Sequence, residues 1–278
     1  MRTAEPVRVR SDCCGLDELF AGHELGGPAW QTLALLPDWP RRWTAYWRSS
    51  GGEVACPVRD LGSMPVLDCE PVRRFAWHAR QRHRPGLQFL VSTGRHHGFE
   101  SLEEQRLLLA LDFVGDVVEV LPQPFRLSFD TVEGRGVHTP DFLAVVRGGG
   151  TWLFDVRPGR LVGEADVVRF AAAGEVALVC GWRYWVVAGW RPQVIGVLDA
   201  LSAQRRPLDD RLGLQVQLLT AARVGSRPFG DLVAATSLPA VARAHALHLL
   251  WHRRLGVDLG RPLGDGSPVW SADAGGDR

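Results

Sequence analysis

The chain has 278 residues, 46% hydrophobic and 23% charged with a formal net charge of +1, an ordinary globular balance sized for one large domain or two of ~100–200 residues. All 32 basic residues are arginine, since the chain has no lysine, so any task usually given to lysine falls to arginine or goes undone. The five cysteines (Cys13, Cys14, Cys56, Cys69, Cys180) form no CxxC pair, which argues against a disulfide framework and a zinc ribbon, and with no signal peptide or membrane-length apolar run the expectation is a cytoplasmic protein.

In chain order, residues 1–42 read as a loosely structured lead-in around an apolar patch from Trp30 to Trp39. Residues 44–47 and 54–58 read as a small hairpin across Ser50-Gly51-Gly52. The stretch 73–84 is the most basic on the chain and is interleaved with aromatics. Guanidinium forks suit phosphate oxygens and aromatic faces suit bases, so Arg73, Arg74, Arg80, Arg82 and Arg84 are candidate DNA contacts; a solvated arginine-rich face is the competing reading. Residues 87–93 read as a strand and 94–98 as a link. A helix then starts at Ser101, with Ser101 and Glu104 spaced as a capping box. Residues 104, 107, 108 and 111 share a helical face and the last three are leucine. Glu104 therefore heads a buried stripe as well as capping the helix.

Residues 117–121 and 125–129 read as strands, with Gln123 held between two prolines at an edge or kink. The stretch from His138 to Arg157 reads as a hairpin turning at Gly148-Gly149-Gly150. Antiparallel pairing brings Asp141, Asp155 and Arg157 to one end, with Asp155 and Arg157 on one face and Val156 on the other. Residues 162–173 read as a helix, 175–180 as a strand and 181–187 as another, giving a compact α/β core. A helix over 192–206 ends at a plausible boundary. Helical stretches follow at 213–223, 229–235 and 238–255, the last with Ser237 as N-cap before Pro239. They resemble a helix-turn-helix or winged-helix module, with a plain helical cap as the alternative. The expected domains are 1–87, 88–206 and 207–270, with 271–278 a disordered tail.

The acidic cluster points to phosphodiester chemistry. Mg²⁺ takes one or two carboxylates plus water and substrate oxygens, activates a water and shields charge on the phosphate. Glu104, Asp141 and Asp155 are candidate ligands, with the carbonyl of Val156 as a fourth. Arg157 supplies a cation that cannot act as a base, because its pKa stays above ~12.

Five ordered motifs carry a family resemblance: Ser101-Leu102-Glu103-Glu104 before the leucine-rich helix, Gln123-Pro124-Phe125, His138-Thr139-Pro140-Asp141-Phe142, Asp155-Val156-Arg157-Pro158, and Cys180-Gly181-Trp182-Arg183-Tyr184. Over residues 88–206 the chain resembles the TnsA-type endonuclease subunit of heteromeric transposases. The resemblance implies a restriction-endonuclease-like core with a mixed central sheet flanked by helices, followed by a C-terminal winged-helix domain. It implies Mg²⁺-dependent cleavage of one strand at each transposon end (Mn²⁺ being the alternative ion), a transposase partner for the other strand, and an ATPase regulator. On it Glu104, Asp141, Asp155 and Arg157 take the catalytic places, and Gln123 and His138 are candidate DNA contacts. The departure is Arg157, where the nuclease pattern has lysine. The alternatives are a restriction or repair nuclease of the same fold, and a DNA-binding scaffold whose site has decayed.

Overall fold

The computed structural model describes residues 8–65, 68–73, 85–148 and 150–272. They divide into two units, and the bounds below apply to the described residues. One comprises Ala21–Leu108 and Asp116–Gly189, the other Met1–Phe20, Leu109–Gly115 and Trp190–Arg278. The result is mixed α/β with several sheets.

In chain order come β1 (Phe20–Gly22), α1 (Gly27–Thr32), α2 (Trp39–Arg42), the hairpin β2 (Thr44–Ser49) and β3 (Gly52–Pro57), α3 (Val58–Leu61) and β4 (Cys69–Glu70). A second hairpin, β5 (Gly86–Leu90) and β6 (Arg95–Phe99), leads into α4 (Leu102–Val114). Then come β7 (Val117–Pro122), β8 (Arg126–Thr131), β9 (Gly134–His138), β10 (Phe142–Val146), β11 (Thr151–Val156), α5 (Glu164–Cys180) and β12 (Arg183–Trp190). One five-stranded sheet has the order β1-β12-β11-β10-β7, and a second runs β3-β2-β8-β9 with β4 on β2. Their apolar faces bury Trp43, Trp47, Phe125, Leu127, Leu143 and Leu153 in one core.

The hairpin expected at 138–157 forms as β10 and β11, paired antiparallel with Phe142 opposite Phe154. One further step along that register sets Asp141 opposite Asp155. β12 lies parallel to β11, with Leu153 opposite Tyr184 and Asp155 opposite Val186. A parallel neighbour needs a crossover, and α5 provides it.

Several expectations are corrected. The link at 94–98 is mostly strand: Gly94, at φ +67, makes the turn into β6. Residues 175–180 are not a strand but the second half of α5. The β-branched run there has strand-like composition, yet Phe170, Ala173, Val176 and Ala177 are buried along one helical face while Leu178 is 73% exposed. Gly181, at φ +70, ends the helix by donating its N–H to the carbonyls of Ala177 and Leu178. Gly174 is no breaker either. A Cβ there would sit 3.1 Å from Trp30 and 3.4 Å from the Tyr184 ring, so glycine admits both rings against the helix. Gly174→Leu should therefore cost about 1–3 kcal/mol through overpacking, read as a lower midpoint in urea unfolding.

Residues 1–42 are no loose lead-in where they are described. In the second unit Val9, Leu16 and Leu19 are buried, and the backbone of Arg10 pairs antiparallel with that of Asp258 in a single β-bridge. Ser11 N–H donates to the Val257 carbonyl at 2.9 Å, and its hydroxyl oxygen accepts Val257 N–H at 2.8 Å. This unit continues through α6 (Val194–Ser202), α7 (Leu214–Arg223), β13 (Arg227–Pro228), α8 (Phe229–Ala234), α9 (Pro239–Trp251), β14 (Leu255–Gly256) and β15 (Pro268–Ser271). Its small sheet is ordered β13-β15-β14. The N-cap of α9 is Leu238, not Ser237, whose N–H and hydroxyl are both held by Gln217. The compact units thus divide near 190 rather than 207, and they take in residues expected to form a separate extension. No helix among the described residues is long and apolar enough to cross a membrane.

Candidate functional site

Asp141 occupies the first residue before β10, where Pro140 precedes it and the hairpin register faces it toward Asp155. Its backbone is fixed on both sides: its N–H donates to the Phe154 carbonyl at 2.9 Å, and its carbonyl accepts the Gln123 N–H at 2.7 Å. One carboxylate oxygen, Oδ2, accepts the Val156 N–H at 2.6 Å. That single bond does not offset the surroundings. Burial, followed by the neighbouring charges of Asp155 and Glu104, pushes the Asp141 carboxyl well above the usual carboxylate range. Asp155 and Glu104, the other two acids proposed from the sequence, therefore both lie within electrostatic reach of Asp141, and Glu100 adds a smaller push in the same direction.

Glu104 combines its two roles. Ser101 Oγ accepts the Glu104 N–H at 3.2 Å and donates to Glu104 Oε1 at 2.8 Å. Its Oε2 accepts an N–H, from Glu100 rather than from the cap itself, at 2.7 Å. Burial is the main cause of its raised pKa, partly offset by those two hydrogen bonds.

Asp155 is 2% exposed and fully engaged. Tyr184 OH donates to Oδ2 at 2.6 Å, and His138 Nε2 lies 2.9 Å from Oδ1 and 3.0 Å from Oδ2. Burial and then the charge of Asp155 raise the Tyr184 phenol well above its usual value, so it remains a donor. Tyr184 was not singled out as a site residue from the sequence. The available signal was alternation: with β12 parallel to β11, Tyr184 projects from the same face as Asp155, one diagonal step away.

Other expected residues fall elsewhere. Arg157 follows the last residue of β11, so strand alternation no longer directs it. Its Nε donates to the Leu161 carbonyl at 3.3 Å and pairs with Asp166 at 3.3 Å, half exposed. The basic side chain beside Asp155 is instead the imidazole of His138. His138, expected as a DNA contact, is turned inward to Asp155. Gln123 is 4% exposed at φ 46, so its contribution is the backbone bond to Asp141 rather than a DNA contact. Val156 contributes an N–H to the site. Arg73 Nη2 donates to Thr139 Oγ1 at 3.5 Å. Arg74, Arg80, Arg82 and Arg84 lie outside the described residues. Because the Arg157 head is committed outside the cluster by an exposed pair worth ~0–1 kcal/mol, Arg157→Ala should leave any cleavage rate within about threefold and hardly move the melting temperature.

The donor chemistry suits a hard divalent cation: oxygen only, from two aspartates and a glutamate, with mutual repulsion that a cation would relieve. As placed, most of their oxygens accept the hydrogen bonds above, and among the described residues no three acidic, histidine or cysteine side chains close into a ready ligand set. The chain matches no protein-family model and no curated protein.

Proposed function

We propose that this protein is a Mg²⁺-dependent DNA endonuclease of the TnsA-like kind, cutting one strand at a transposon end alongside a transposase partner and an ATPase regulator. The observation that carries the reading is Asp141: a desolvated carboxyl set opposite Asp155 and within the field of Glu104, at a cost in repulsion that a structural role does not require. The order of motifs and the α4–hairpin–crossover arrangement support a restriction-endonuclease-like core. Asp141, Asp155 and Glu104 would hold the ion, with the Val156 carbonyl beside them. Mg²⁺ bound there supplies Lewis-acid activation of water and shields the phosphate charge. The chain's own part is placement. Val156 N–H orients Asp141, Ser101 and the Glu100 N–H orient Glu104, and His138 with Tyr184 fixes Asp155.

The second unit supports a winged-helix reading through its order of helix, strand, two helices and two strands, with the last strand central. The outer positions of α9 are Pro239, Ala240, Val241 and Arg243, and Arg243 pairs with Asp265 at 2.6 Å. Such a face offers few groups to read bases.

A decayed, DNA-binding scaffold is the second reading, favoured by the commitment of Arg157 to Asp166. Supercoiled plasmid incubated with Mg²⁺ or Mn²⁺ separates the two, with the partner proteins added in a parallel arm. Nicking by wild type and none by Asp141→Ala supports the nuclease. Equal nicking by both, or none by either in every metal and partner arm, sinks it.

A further inference from the structure

His138 and Thr139 are consecutive, and their side chains meet different partners, Asp155 for His138 and Arg73 for Thr139. His138 pairs in register with Leu127, whose side chain is fully buried, and it points inward to Asp155. Thr139 lines a pocket of about 240 Å³ on the outer face of the β3-β2-β8-β9 sheet. Tyr46, Arg48, Glu53, Arg73 and Arg126 line that pocket with it. Their convergence follows from register. Tyr46 lies opposite Arg126, Arg48 opposite Glu53, and Tyr46 and Arg48 are two apart on one strand, so all four share a face. Ala45 and Trp47, on the other pleat of β2, lie in the core.

We propose that this pocket binds a backbone phosphate of DNA, one residue along the chain from His138. The inference rests on the DNA-cleaving reading and adds to it a contact for the substrate's phosphate chain. Three guanidinium groups enter one concavity, and five-donor planar forks match phosphate oxygens. Their present partners are weak competitors. Arg126 is 3.5 Å from Glu53, with the two side chains 50% and 65% exposed, and Arg48 is 3.2 Å from Glu70. Exposed pairs of this kind contribute little and are screened by salt. Arg73 meets the neutral hydroxyl of Thr139. The Arg126 guanidinium lies 4.5 Å from the centre of the Tyr46 ring, which holds it over the pocket at small entropic cost.

The test uses the full chain in EDTA with a labelled duplex of mixed sequence, titrated by fluorescence anisotropy between about 50 and 200 mM salt. Wild type is compared with the double variant Arg48→Gln/Arg126→Gln. Both side chains lie on the surface, and a circular dichroism melt checks that the variant folds. The expected result is a Kd at least tenfold weaker, with the slope of log K against log salt reduced by about 0.9, as for one lost phosphate contact. Unchanged Kd and slope in the variant, or no duplex binding by wild type, overturns the proposal. Plasmid cleavage by Asp141→Asn is measured alongside. Lost cleavage there with intact binding by the double variant overturns the pocket alone. Retained cleavage there with weakened binding by the double variant overturns the nuclease reading and leaves the pocket standing.

Discussion

Asp141→Asn is expected to give a protein that melts higher than wild type at neutral pH and does not cut DNA. The buried carboxyl holds its proton to a higher pH when folded than when unfolded. Between the unfolded value near 3.9 and the raised folded value, the native state therefore binds more protons, and stability falls as pH rises through that window. Asparagine removes the penalty while its amide oxygen can still accept the Val156 N–H. The gain should be about 1–3 kcal/mol, equivalent to roughly 2–4 °C per kcal/mol for a chain of this size, and it should fade below about pH 4. Cleavage should fall by about a thousandfold or more, since a metal-holding charge is lost. Differential scanning calorimetry across pH, with and without Mg²⁺ or Mn²⁺, checks both halves. The ion should raise the wild-type midpoint and leave that of Asp141→Asn almost unmoved. A variant that melts lower at pH 7.5 would contradict the electrostatic account of this residue.

The second large effect is expected at His138. Its removal leaves Asp155, 2% exposed, with only the Tyr184 hydroxyl. His138→Ala should lower stability by about 2–4 kcal/mol, because a hydrogen bond to a buried carboxylate is lost together with the ring's packing. That ring meets Phe170 edge-on at 6.2 Å. Cleavage should drop about a hundredfold or more as Asp155 loses its orientation. His138→Gln separates the contributions. An amide N–H restores a donor toward Asp155, so most of the stability should return, together with part of the activity. If Gln proves no better than Ala in the urea midpoint, the donor role assigned to Nε2 is wrong. Tyr184→Phe should be milder, about 1–2 kcal/mol, for one hydrogen bond with the packing kept.

The sequence made the hairpin and its facing acids legible, because a glycine turn between two apolar strands fixes the register locally. Glu104 was legible for the same reason: helical periodicity sets it at the head of Leu107, Leu108 and Leu111. What it concealed depends on distant pairing. Tyr184 reaches Asp155 only because a 17-residue helix returns the chain parallel to β11. His138 is aimed by its pairing with β8, in a different sheet. Arg157 misled because alternation was carried one residue past the end of its strand. The 175–180 segment misled because its β-branched composition masks a helical face created by the packing of Trp30 and Tyr184 on Gly174. In each case tertiary contacts override a local preference.

The stitching of residues 9–11 to 257–259 has a consequence for how the chain comes to be folded. Val9 N–H bonds Asp258 Oδ1, and its carbonyl accepts the Leu259 N–H. At about 5–20 residues per second of synthesis, the earliest of these residues waits roughly 10–50 s for a partner. During that interval the opening segment is translated but unsatisfied, carrying Leu16, Leu19 and Phe20 with no finished core to receive them. Nascent chains stalled before residue 255 should expose this segment to protease, and chains released past 272 should protect it.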